Sequence, residues 1–132
     1  GGSGLSEGTH VSLGSREKTD VANVVSHLRS RNSVGKIGLW GTSMGAVTAL
    51  LAANEDPSIA GVVLDSPFAS LKDLMVELVE RWTEGSYVGV PRAATRLAVG
   101  WIRASIKSRA NFDTDDLEVE CAAETSFCPA LF

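Results

Sequence analysis

The sequence predicts an α/β domain built around a mainly parallel sheet. Two short apolar runs bounded by turn residues, 36–40 and 59–64, lack polar alternation, which is typical of strands buried on both faces. Segments with helical apolar spacing alternate with these runs, and that alternation favours parallel strands joined by right-handed crossovers. With 132 residues, of which 44% are apolar and 21% charged, the chain has the size and composition of one globular domain.

The elements follow one another in a clear order. Each helix is predicted from apolar residues at i, i+3, i+4 and i+7, and each break from glycine, proline or acidic residues. The predicted elements are a loop over 1–14, a helix over 15–31, a strand over 36–40, a helix over 46–53, a strand over 59–64, a helix over 70–82, a helix from Pro91 onward, an acidic loop over 111–125 and the start of a third strand over 127–132. The helix from Pro91 has an apolar face that includes Leu97 and Trp101, and basic residues on its other side. Core packing is predicted for the apolar face, and the lining of a hydrophobic pocket is the alternative.

One motif carries chemistry. Gly41-Thr42-Ser43-Met44-Gly45 is a G-x-S-x-G sequence placed between a predicted strand and a predicted helix, the setting that a nucleophile elbow requires. The sharp turn is expected to strain the backbone of Ser43, and the flanking Gly41 and Gly45 are expected to remove Cβ atoms that would clash. Ser43 is therefore the candidate nucleophile, and the backbone N–H of Met44 at the helix N-terminus is the candidate donor to an oxyanion.

These residues resemble the α/β-hydrolase family, in the branch with serine aminopeptidase-like and esterase- or thioesterase-like members. The resemblance covers nearly the whole chain, in four stretches: 2–8, 37–46, 63–68 and 129–132. It implies a serine hydrolase that needs no cofactor and acts on a small-molecule, acyl or peptide substrate. It also implies a partial α/β-hydrolase domain over 1–132, with the nucleophile strand, elbow, helix and next strand in 36–67 and helices of a cap or lid, with the acidic loop, in 68–120.

The family's triad runs serine, acid, histidine along the chain, and here the pattern is incomplete. No histidine follows Ser43, since His10 lies in the first loop and His27 in the first helix. The acid is expected soon after the strand near Pro129. Asp65 is an alternative acid, although a turn-capping role explains it more simply.

The remaining acidic residues of interest, Asp113, Asp115 and Asp116, are more simply a solvated loop. The expectation is thus a domain truncated at both ends and inactive alone, whose parent is a hydrolase. The alternative is a non-catalytic relative that binds a ligand or partner.

Charge and cysteine content exclude several other classes. The net charge is −4 and no basic cluster suggests nucleic-acid binding. No apolar run approaches the length of a membrane span, and association with a membrane surface is compatible with the sequence but not indicated by it. Cys121 and Cys128 lack the spacing of a metal site or a disulfide framework, so no metal is expected and a reducing, cytoplasmic location is favoured.

Overall fold

The computed structural model describes residues 4–7, 10–31, 33–84, 92–110 and 119–132. The chain divides into two units, one formed by residues 1–68 and 118–132 and the other by residues 69–117. The first unit contains α1 (Glu17–Arg29), β1 (Gly38–Thr42), α2 (Met44–Glu55), β2 (Gly61–Asp65), α5 (Val119–Thr125) and β3 (Ala130–Leu131). The second contains α3 (Leu71–Glu84) and α4 (Arg92–Ala110), which pack against each other.

The three described strands form a parallel sheet in the order β1-β2-β3, which confirms the predicted fold class. Helix α2 connects β1 to β2 and packs on both strands, with α1 and α5 packed against α2. Its residues 46–53 are all buried. A helix that is apolar all round belongs in a core, so α2 is the centre of this unit.

The prediction that the strands are buried on both faces is wrong for the described residues. Val62 and Leu64 of β2 are buried, but the intervening Val63 is exposed. Its neighbours in the parallel register, Trp40 and Leu131, are 79% and 65% exposed. The reason is that α2 covers one face of β1 and β2, whereas α1 and α5 pack on α2 rather than on the opposite face.

The strands also begin later than the apolar runs that predict them. Ile37 and Ile59 are buried yet precede β1 and β2, whereas the polar Thr42 and Asp65 are paired as the last residues of the two strands. Apolar residues mark the buried part of each strand, whereas the hydrogen bonding between the strands continues beyond the last apolar residue. Strand β1 therefore ends two residues later than predicted, at Thr42 within the motif, and β2 ends one residue later than predicted, at Asp65.

Two further predictions need correction. Residues 119–125 of the predicted acidic loop form helix α5, in which Val119 and Ala122, three residues apart, are buried; residues 111–118 lie outside the described part of the chain. In α4, Val99 is buried but Leu97 and Trp101 are exposed. One face of this helix suffices to pack against α3, and the apolar stripe predicted from the sequence is wider than that face.

A hydrogen-bonded turn anchors the beginning of α1. The Glu17 carboxylate accepts hydrogen bonds from the Ser12 N–H at 2.9 Å, the Ser12 hydroxyl at 2.6 Å and the Gly14 N–H at 2.9 Å. Gly14 has φ +122°, and a Cβ there would lie 3.1 Å from Cγ1 of Val47 in α2. The turn therefore holds α1 close to the central helix.

The same hydrogen bonds make this turn sensitive to acid. Partial burial acts to raise the pKa of Glu17, but the bonds from the Ser12 hydroxyl and the two N–H groups outweigh it and lower the pKa to about 2. Since the folded pKa is depressed, the carboxylate stabilises the fold above its unfolded pKa, and this contribution disappears as the pH falls toward 2. The stability of the domain should thus decline between about pH 5 and pH 2.

Replacing Glu17 by Gln should reduce the free energy of unfolding by about 1–3 kcal/mol at pH 7, because charge-assisted hydrogen bonds are lost. The difference from the unmodified chain should shrink toward pH 2. Urea unfolding at both pH values measures it. Glu55→Gln is the control, since Glu55 forms an exposed ion pair with Lys18 at 2.5 Å and should change stability by less than about 1 kcal/mol. An effect of Glu17→Gln that is independent of pH would contradict this interpretation.

Candidate active site

The turn between β1 and α2 holds Ser43 in an unusual backbone conformation. Its φ is 52° and its ψ is −115°, which a residue with a side chain adopts only under strain. The Ser43 carbonyl accepts hydrogen bonds from the N–H groups of Ala46 at 3.0 Å and Val47 at 3.2 Å, which begins α2. The Ser43 N–H donates to the carbonyl oxygen of Asp65 at 2.8 Å. The strained residue is thus fixed on one side by a helix and on the other by the end of β2.

The side chain of Ser43 is exposed and leaves the helix uncapped. Serine at this position usually bonds to a backbone N–H of the first turn, but Ser43 makes no such side-chain bond. Met44, the first residue of α2, has its N–H at the helix N-terminus, where backbone donors lack intrahelical partners. A hydroxyl and a positive helix end therefore meet at the carboxyl edge of the sheet, where ligands bind in open α/β folds.

The two glycines of the motif differ in the space available for a side chain. A Cβ at Gly41 would lie 2.1 Å from the carbonyl oxygen of Gly45 and 2.5 Å from the backbone nitrogen of Ala46, so no larger residue fits there. A Cβ at Gly45 would meet nothing within 4 Å. The expectation that both glycines prevent a clash is therefore correct for Gly41 and wrong for Gly45, which lies on the open side of α2.

Asp65, the candidate acid, lies beside the elbow at the end of β2. It is paired in register with Thr42, and its carboxylate accepts hydrogen bonds from the Ser66 hydroxyl at 2.9 Å and the Thr42 hydroxyl at 3.4 Å. Ser66 has φ 53°, so a second strained serine follows the neighbouring strand. The D-S-P sequence indicates this turn, but the bond to Thr42 requires the register of the two strands, which the sequence does not contain.

The other candidate residues lie elsewhere. His27 is exposed in the last turn of α1, and His10 is exposed in the segment before that helix. Asp113, Asp115 and Asp116 fall outside the described residues. The structure therefore brings together Ser43, Met44, Gly41 and Asp65, and the catalytic roles given to them remain predictions.

Within the described ranges of the chain, no group of three or more His, Cys, Asp or Glu side chains is arranged to hold a metal ion. Cys121 is exposed on α5 and Cys128 is half-buried, with its Sγ 3.6 Å from the carbonyl oxygen of Ile59; both are free thiols. None of the described helices combines the length and the apolar character needed to cross a bilayer.

A parallel sheet, a strained serine between strand and helix, and an obligatory glycine two residues before that serine define a partial α/β-hydrolase domain. The sequence matches the family of serine aminopeptidases, S33 (Hydrolase_4), over residues 1–123, and the chain belongs to this family.

Known proteins resemble this chain over part of their length. The uncharacterized protein YqkD of Bacillus subtilis (strain 168) is 46% identical over 69 residues, which cover 50% of this chain and 23% of YqkD. The esterase Pf2001 of Pyrococcus furiosus is similar in structure in two crystal forms. With the first the TM-score is 0.61 at 22% identity, covering 96% of this chain and 43% of the esterase; with the second it is 0.56 at 19% identity, covering 90% and 40%. The chain thus spans less than half of these proteins, and the structural similarity concerns the fold.

Proposed function

We propose that this chain is the nucleophile-bearing part of a serine hydrolase that cleaves esters, thioesters or peptides, with Ser43 as the nucleophile. The observation that carries the proposal is the backbone of Ser43, at φ 52° and ψ −115°. Strain of this kind is retained where the surroundings impose it, and it is concentrated at functional sites. The family description and the esterase of similar fold both concern the cleavage of acyl bonds.

The reaction follows from the groups at the elbow. The Ser43 Oγ attacks the substrate carbonyl carbon while a base takes its proton, and the carbonyl oxygen becomes an anion that the Met44 N–H stabilises. Collapse of this intermediate expels the alcohol, thiol or amine, which takes the proton from the base. Water then cleaves the acyl-serine, releasing the acid and restoring the hydroxyl.

The base is proposed to be a histidine outside these 132 residues. The two histidines of the chain, His10 and His27, both precede Ser43, contrary to the order of the triad in this fold. The 132 residues alone should therefore turn over substrate slowly, because triad members act as a unit. The relatives are long enough to supply a base from elsewhere, since the chain covers 43% of the esterase.

Asp65 is assigned a positioning role in this proposal rather than the role of the acid. Its carboxylate already accepts hydrogen bonds from Ser66 and Thr42, and its backbone carbonyl holds the Ser43 N–H. The contacts with Thr42 and Ser43 connect the end of β2 to the elbow itself. A triad acid would instead have to accept a hydrogen bond from the histidine.

The helices α3 and α4 are proposed to be the cap. They form a unit of their own, and in chain order they are inserted between β2 and α5 of the sheet unit.

The two free thiols favour a reducing compartment, and we assign the protein to the cytoplasm.

Hydrolysis of a short-chain p-nitrophenyl ester by the complete protein tests the proposal. Ser43→Ala should lower kcat by at least about a thousandfold, because the nucleophile is lost. Ser66→Ala is the matched control, since Ser66 is also exposed and follows the neighbouring strand with φ 53°, and it should retain most of the activity.

The alternative is a non-catalytic member of the fold that uses the elbow as scaffold, and the observation that favours it is the lack of a histidine after Ser43. That alternative predicts no hydrolysis by the complete protein, with ligand binding unaffected by Ser43→Ala. Equal hydrolysis by the unmodified protein and Ser43→Ala would refute Ser43 as the nucleophile.

A further inference from the structure

Among the described residues that end or directly follow the three strands, Asp65 alone has a charged side chain. It is the last residue of β2, it is paired in register with Thr42 at the end of β1, and it is exposed. Ligands of open α/β folds bind at this carboxyl edge of the sheet. A substrate that reaches Ser43 therefore comes close to one negative charge, that of Asp65.

The Asp65 carboxylate is held by neutral groups. One of its oxygens accepts a hydrogen bond from the Ser66 hydroxyl at 2.9 Å, and the other accepts one from the Thr42 hydroxyl at 3.4 Å. Within the described part of the chain no basic side chain pairs with it. The two hydroxyls orient the carboxylate without neutralising its charge.

The carboxylate is near enough to the elbow to act on a bound substrate. The Ser43 N–H donates to the backbone carbonyl oxygen of Asp65 at 2.8 Å, and Thr42, which contacts the carboxylate, directly precedes Ser43. Standard backbone dimensions then limit the distance from the Ser43 Oγ to the carboxylate to about 12 Å. At this range, the interaction of two unit charges changes a rate severalfold where water is partly excluded.

We propose that Asp65 makes the site selective for the charge of the acyl group, favouring cationic over neutral and neutral over anionic substrates. The inference rests on the proposed function, in which Ser43 is the nucleophile. The carboxylate attracts a cation on the acyl group and repels an anion. The oxyanion that forms at the substrate carbonyl is common to all esters, so its repulsion by Asp65 cancels when esters are compared.

Three p-nitrophenyl esters of similar shape test the proposal with the complete protein. Their acyl groups are butanoyl chains whose γ-carbon carries a trimethylammonium, a tert-butyl or a sulfonate group. At about 0.01 M salt, where the Debye length is about 30 Å, kcat/KM should fall in that order, with a cation-to-anion ratio of about 10. The ratio should approach about 1 in about 1 M salt, where the Debye length is about 3 Å.

Variants of Asp65 separate its charge from its role in positioning. Asp65→Asn keeps the shape and removes the charge, so it should lower the cation-to-anion ratio about fivefold or more. Asp65→Glu keeps the charge and should retain the ratio within about twofold. A loss of positioning would instead lower kcat/KM for all three esters alike and leave the ratio unchanged.

Glu55→Gln is the control for the net charge of the chain. Glu55 is the last residue of α2, at the opposite end of that helix from Ser43, and it is paired with Lys18. Its replacement should change the ratio by less than about twofold.

The neutral ester distinguishes a failure of this proposal from a failure of the proposed function. If the neutral ester is hydrolysed by the unmodified protein but not by Ser43→Ala, and Asp65→Asn leaves the ratio unchanged, charge selection by Asp65 is overturned while the proposed function stands. An equal loss of the ratio in Glu55→Gln would overturn it too. Hydrolysis of none of the three esters would overturn both.

Discussion

Gly41→Ala should cost the sheet unit about 3 kcal/mol of stability, because the new methyl group has no space. The added Cβ would lie 2.1 Å from the oxygen and 2.2 Å from the carbon of the Gly45 carbonyl, and 2.5 Å from the nitrogen of Ala46. All three are backbone atoms at the start of α2, so no side-chain rotation relieves the overlap. Either α2 moves away from β1 or the turn opens, and both disturb the centre of the core.

Gly45→Ala is the matched control for this prediction. A Cβ at Gly45 meets nothing within 4 Å, and the residue lies inside α2. Alanine is a better helix former than glycine by about 1 kcal/mol, so this variant should be as stable as the unmodified chain or slightly more so. Urea unfolding of the two variants measures the contrast. Similar losses for both would contradict the steric account of the elbow.

Replacing Ser43 should have opposite effects on activity and stability. The Ser43 backbone lies at φ 52° and ψ −115°, a region that costs a residue with a Cβ about 1–3 kcal/mol. Glycine adopts positive φ without this cost, although it loses more entropy on folding. Ser43→Gly should therefore raise the free energy of unfolding by about 1 kcal/mol. If Ser43 is the nucleophile, the rate of hydrolysis by the complete protein should fall at least about a thousandfold.

Ser43→Ala separates the two effects. It removes the hydroxyl but keeps the Cβ, so it should lose activity as Ser43→Gly does without gaining stability. Thermal or urea unfolding of both variants gives the comparison. If the two variants are equally stable, the backbone of Ser43 is not strained and the main support for its role is lost.

The order of the elements and the parallel sheet could be predicted because they depend on local patterns. The apolar runs before the elbow and before Asp65 indicate two core strands, and G-x-S-x-G between strand and helix locates the turn. The strained backbone of Ser43 could be predicted as well, since a turn this sharp leaves few conformations, and the structure shows the strain as a positive φ.

Prediction from the sequence fails where a structural feature depends on residues that are distant along the chain. The exposure of Trp40 reflects which face α2 covers, and apolar character does not distinguish a covered face from an open one. The contact between Thr42 and Asp65 depends on strand register. The different steric constraints on Gly41 and Gly45 cannot be predicted without the direction in which a Cβ would point at each position. Helix α5 could not be predicted, because Val119 and Ala122 alone are too few apolar residues to form a periodic pattern.

The most direct test of the central claim is covalent labelling of the complete protein with a fluorophosphonate, followed by mass spectrometry of the labelled peptide. This reagent phosphonylates a serine only when its hydroxyl is activated. We expect a single adduct on Ser43, absent from Ser43→Ala and retained in Ser66→Ala. Labelling of another residue, or labelling that survives Ser43→Ala, would contradict the assignment of Ser43 as the nucleophile.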